Sequence, residues 1–137
     1  MAFFLDSYQL IIYNDTMNII FDSNLAIELK EKYTVLELDT VMQPALQAPV
    51  VLHAVVEKLN LTDLPSITFY KETHENMIAA YKAGDWDVAI DLLKVLTGQW
   101  SGELDSFYEM ALDFCQENAK LNKTWDGIRH TIPTEDN

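Results

Sequence analysis

Three histidines and one cysteine are the side chains of this chain best suited to proton transfer, nucleophilic attack or soft-metal ligation: His53, His74, His130 and Cys115. Their spacing does not assemble such chemistry. No His-x-x-x-His or Cys-x-x-Cys pair is present to hold a metal. His74 stands beside Glu75 in THEN, but adjacent helical residues point about 100° apart and form no chelate. A nucleophilic cysteine needs a base and some exposure, whereas Cys115 falls on an apolar helical stripe and is expected to be a packed thiol. Asp and Glu number 22, yet the alternating ligand spacing of a calcium loop is missing. The four glycines, at 84, 98, 102 and 127, build no phosphate-cradling loop. The residues therefore point to no catalytic, cofactor-binding or metal site, and to a protein that is not an enzyme.

Charge narrows the partners. Nine Lys and Arg against 22 Asp and Glu leave a formal net charge of −13, which disfavours duplex DNA or RNA, whose phosphates require clustered basic side chains. A protein partner or a second copy of the chain is expected, with no nucleic acid and no membrane. The opening MAFFLDSYQLIIY has no positive n-region and no run of membrane-spanning length, so a cytoplasmic protein is expected. A single cysteine fits a reducing compartment. The sequons at Asn14, Asn60 and Asn122 are then chance matches.

The aromatics supply the candidate interaction residues. Trp100, Phe107 and Tyr108 lie within nine positions in WSGELDSFYE, and an exposed cluster of that kind ringed by acids would be a partner site. The competing reading puts Trp100 over the end of a helical hairpin. Trp125 is the fourth candidate, either an anchor that docks the tail with Gly127 turning the chain beside it, or a ring held out for a partner. Lys120, Lys123 and Arg129 should draw that tail back onto the acidic body, and nothing after Pro133 has much to bury.

The elements that must position these residues follow from periodicity. With 137 residues, 49% of them apolar, one domain is expected, with strands in lobe 1–60, helices in 61–120 and a tail over 121–137. The runs Tyr8 to Tyr13, Ile19 to Phe21, Val35 to Met42 and Val50 to Val56 have strand chemistry, and the first two should form a hairpin through Asn14 to Asn18. A short helix is expected over Asn24 to Lys32, capped by Ser23 or Asn24, with Leu25 and Leu29 on one face. VLELD alternates apolar and acidic residues, which predicts a sheet with one wet face.

From Pro65 the period is helical. Tyr70, His74, Met77, Ile78 and Tyr81 form one stripe; Trp86, Ala89, Ile90, Leu93 and Leu96 a second; Leu104, Phe107, Tyr108, Ala111, Phe114 and Cys115 a third. Gly84 is placed to end the first helix and Asp85 to cap the second with its carboxylate, while Trp86 is expected to be largely buried at their joint. The fold class is α+β: a small antiparallel sheet with one short helix, then three helices containing a hairpin that resembles the tetratricopeptide type. One hairpin makes no solenoid, since such arrays need at least three repeats.

Two longer resemblances rest on these residues. LELDTV, PVVLHAVVE, YKAGDWDVAIDLL and TWDGIRHT occur in the order found in the segment that follows the catalytic domain of bacterial class III adenylate/guanylate cyclases. The metal-holding carboxylates of those enzymes lie upstream of the matching part, so cyclase activity is not expected. Leu38-Asp39-Thr40, His74 to Trp86 and Gly98 to Tyr108 resemble more closely a small uncharacterised protein family of T4-like cyanophages and marine metagenomes. That resemblance implies a phage-type origin, hence a host-cell cytoplasmic setting, and a fold, but no activity; the residues themselves lead to the expectation of a non-enzymatic interaction or accessory protein. The alternative is a small enzyme or ligand binder with a site assembled from residues distant in sequence.

Overall fold

A computed structural model describes residues 18–20, 22–43, 47–56, 64–121 and 124–129. The strand expected at Tyr8 to Tyr13, its hairpin, the three sequons, His130 and the residues beyond Pro133 lie outside these. The described residues form two compact units, one drawn from Met1–Val56 and Ile128–Asn137, the other from Glu57–Gly127.

In the first unit, β1 (Asn18–Ile20), α1 (Ser23–Leu29), β2 (Thr34–Gln43) and β3 (Ala48–Val56) follow one another. The strands form an antiparallel sheet in the order β1-β3-β2. α1 is capped by Asp22, not by Ser23 or Asn24: its carboxylate accepts from the backbone N–H groups of Asn24 at 2.9 Å and Leu25 at 3.4 Å. The buried side of α1 is carried by Ala26 with half-buried Leu29, while Leu25 is exposed. These residues pack on Ile20, Val35 and Val55 and cover part of one face of the sheet.

The expected wet face is present only in part among the described residues: beyond Val35 and Val55, the face under α1 carries half-buried Glu37, Val51 and His53 and exposed Pro49. Leu36, Leu38, Leu52, Ala54 and Val56 are buried on the side opposite Val35 and Val55. Between Glu37↔His53 and Thr40↔Val51 the register shifts, so Leu38 and Asp39 together oppose Leu52. Such a bulge re-aims the side chains beyond it. Asp39 is fully buried as a result, although an alternating surface strand would have placed it in water. Its Oδ1 accepts from the Thr40 N–H at 3.1 Å, and Arg129 Nε donates to its Oδ2 at 3.0 Å. The main chain of Arg129 also bonds the free edge of β2, with its N–H donating to the Thr40 carbonyl and its carbonyl accepting from the Met42 N–H, each at 2.8 Å. A basic tail residue does fold back onto an acidic one.

The second unit holds α2 (Leu64–Ala83), α3 (Trp86–Leu96), a one-turn 3-10 helix (Trp100–Gly102) and α4 (Asp105–Lys120). α3 packs on both α2 and α4. Ring contacts pair His74 with Tyr108 and Tyr81 with Phe114, in the same order along α2 and α4, so these two helices run in the same direction. Among the described residues, no helix is long and apolar enough to cross a membrane.

The three stripes match the buried positions closely. His74, Met77, Ile78 and Tyr81 are buried on α2, Ala89, Leu93 and Leu96 on α3, and Leu104, Phe107, Tyr108, Ala111 and Cys115 on or beside α4. Two details differ. Asp85 stands at the N-cap position of α3 but makes no side-chain cap bond, and Trp86 is half-buried rather than largely buried.

Candidate functional site

The end of α2 shows why a glycine must stand at the joint. Asp85 N–H donates to the Ala80 carbonyl at 2.9 Å and Gly84 N–H to the Tyr81 carbonyl at 3.2 Å, the paired bonds of a Schellman motif. That motif requires a left-handed residue at its turn, and Gly84 has φ +77°. The Tyr81 carbonyl accepts a further bond, at 2.7 Å, from the indole N–H of Trp125. A Cβ at position 84 would lie 3.5 Å from the Trp125 ring, so the joint and the indole are fitted to each other.

Around this point Tyr81, Trp86, Phe114 and Trp125 meet with ring centroids 5.1–6.0 Å apart, mostly tilted or edge-on. Rings at such distances fill the space between them. A cation cage would instead leave room for its guest. Trp125 is thus placed as an anchor, half-buried, with its polar atom bonded within its own unit.

Gly127 completes the anchor. It has φ +83°, and a Cβ there would come within 3.1 Å of the Lys82 carbonyl oxygen. Gly127→Ala is expected to lower stability by about 1–3 kcal/mol, because the left-handed backbone and the carbonyl contact both penalise a side chain. An unchanged denaturant midpoint would show that the segment does not lie against Lys82 in solution.

The other three candidate residues are buried. Trp100 is 6% exposed, and Phe107 and Tyr108 are 0% exposed. They do not form an exposed cluster, because Trp100 and Ser101 adopt left-handed backbone, with φ of +57° and +54°, and Trp100 lies in the core with its N–H on Tyr108. The indole N–H donates to the Tyr108 hydroxyl oxygen at 3.0 Å, and that hydroxyl lies 2.9 Å from His74 Nδ1. The Tyr108 hydroxyl thus links the indole of Trp100 to the imidazole of His74, with the roles of donor and acceptor in the second bond set by the imidazole tautomer. Burial pushes the Tyr108 hydroxyl pKa well above its ordinary value; the bond from Trp100 opposes this and the charge of Asp105 adds to it. Cys115 is likewise fully buried. No group of three or more His, Cys, Asp or Glu that could hold a metal occurs among the described residues.

The surface of α3 offers something different. Val88 and Val95 are 45% and 44% exposed, and Leu92, half-buried, lies between them at the i, i+4, i+7 spacing of one helical stripe. The buried stripe of Ala89, Leu93 and Leu96 is a separate one. WDVAIDLLKVL thus has more apolar positions than its neighbours cover, and counting them against one stripe would have revealed the surplus. Exposed Asp87 and Asp91 lie along the edge of the outward stripe.

Compared with models of protein families, with curated proteins and with solved structures, the chain matches none.

Proposed function

We propose that this protein is a non-enzymatic interaction or accessory protein that binds a protein partner through the outward stripe of α3. The observation that carries this is the exposure of Val88 and Val95 beside Leu92 in a chain of net charge −13. Large apolar side chains aligned on one helix face gain free energy when covered, in proportion to the area withdrawn from water. Burial of His74 and Cys115 supports the non-enzymatic part, since neither side chain can reach a substrate. The phage-type origin and cytoplasmic setting belong to the same proposal and rest on the motifs from Leu38 to Tyr108.

The test is photo-crosslinking from position 95. A photoreactive phenylalanine derivative there should give a discrete protein adduct in extracts of the cells that make the protein. The same group at exposed Glu109 on α4 should not. Identical adduct patterns from the two positions would remove the stripe of α3 as the site.

A further inference from the structure

The charges beside the stripe bear on what kind of protein covers it. At about 100° per residue, the outward arc of α3 carries Val95, Val88 and Leu92 side by side, with Asp91 and then Asp87 along one border. Asp87 has a second role, because it lies in the first turn of α3, where a carboxylate stabilises the helix N-terminus. Asp91 is in mid-helix and has no such role, yet it is exposed at the edge of the apolar strip. Lys94, the only basic residue of the helix, follows Asp87 on that same border about 20° further round, so Asp91 is the charge next to the apolar strip.

From this juxtaposition, and resting on the reading of the stripe as a binding site, we infer that its occupant is an amphipathic helix of a partner protein, apolar at i, i+4 and i+7 and flanked by Lys or Arg. A stripe two turns long is matched by a helix of similar spacing, as in helix-in-groove recognition. The basic flank on the side of that border would face Asp91 and, beyond it, Asp87. A second copy of this chain is disfavoured by the same electrostatics, since it brings another −13 toward the interface. The acidic border also repels acidic helices that could otherwise use the apolar strip, which gives selectivity as well as attraction.

The experiment uses the full chain and a labelled synthetic peptide with Leu at the three apolar positions and Lys on both flanks, followed by fluorescence anisotropy. A peptide of the same composition in scrambled order should bind at least about tenfold more weakly, and so should the Lys-flanked peptide to a Val88→Asn/Val95→Asn variant. The Asp87→Asn/Asp91→Asn variant should bind several-fold more weakly and lose part of the salt dependence. Equal binding of the ordered and scrambled peptides would reduce the effect to bulk charge and overturn the inference. Equal binding by the aspartate variant would overturn the choice of a basic partner. Concentration-dependent dimerisation abolished by Val88→Asn/Val95→Asn would assign the stripe to a second copy instead, again overturning it. A discrete adduct from position 95 without binding of the Lys-flanked peptide would leave the site in place and remove only this class of partner.

Discussion

Arg129→Met is expected to lower the free energy of unfolding by about 3–5 kcal/mol, the range found when one partner of a buried ion pair is removed. Asp39 is 0% exposed and Arg129 8% exposed, so the carboxylate that loses its guanidinium has no ready access to water. The two bonds that residue 129 makes to β2 come from its main chain and survive the substitution. The loss therefore reports the charge pair rather than the tail's attachment. A double substitution, Asp39→Asn with Arg129→Met, should recover a substantial part, because the buried charge is removed along with its partner. Urea denaturation of the four proteins of this cycle measures both quantities. A loss below about 1 kcal/mol for Arg129→Met would mean that the pair behaves as a solvated surface contact.

Tyr108→Phe is the second large effect, and it arises inside the helical unit. The substitution keeps the ring among His74 and Phe107 but removes the hydroxyl into which Trp100 donates and which is hydrogen-bonded to His74 Nδ1. Each buried polar group deprived of its bond costs about 1–3 kcal/mol, so a loss of that size or larger is expected. Tyr108 also makes stability fall at alkaline pH. Its folded pKa is raised, chiefly by burial, above the value of about 10 that a tyrosine has in the unfolded chain. The unfolded state therefore ionises first, and the stability present below pH ~10 declines as pH rises beyond it. The Phe variant lacks this contribution to the decline. Parallel alkaline slopes for the two proteins would show that Tyr108 ionises as readily folded as unfolded.

Much of the helical unit was legible in the sequence because its helices place buried residues three and four positions apart. His74, Met77, Tyr81, Leu93, Phe107 and Cys115 could be assigned inward from spacing alone, and Gly84 marked the joint because few other residues tolerate its left-handed turn. The outward stripe of α3 was not read. Val88, Leu92 and Val95 look like core residues by type, and only the packing of α2 and α4 on α3 shows which apolar positions remain uncovered.

The four candidate interaction residues divide along the same line. Trp125 was legible as an anchor because an indole followed two residues later by glycine can turn close to its support, and at Gly127 even a Cβ would come within 3.1 Å of the Lys82 carbonyl oxygen. Trp100 was not. Helical spacing cannot bring Trp100, Phe107 and Tyr108 inward together, but the left-handed backbone at Trp100 and Ser101 breaks that spacing.

By itself, then, the sequence determined the α+β class, the three strand-forming and four helix-forming stretches that correspond to described elements, and the inward faces of the long helices, all of which depend on residues close together in the chain. Tertiary structure alone decided the strand order β1-β3-β2, the bulge that buries Asp39, its pairing with Arg129 and the hydrogen bonds joining His74, Tyr108 and Trp100. The physical reason is separation: Asp39 and Arg129 stand 90 positions apart, and His74 and Tyr108 34. Local propensity sets which segments are strands and helices, but a buried charge or hydroxyl finds its partner only after those segments have packed.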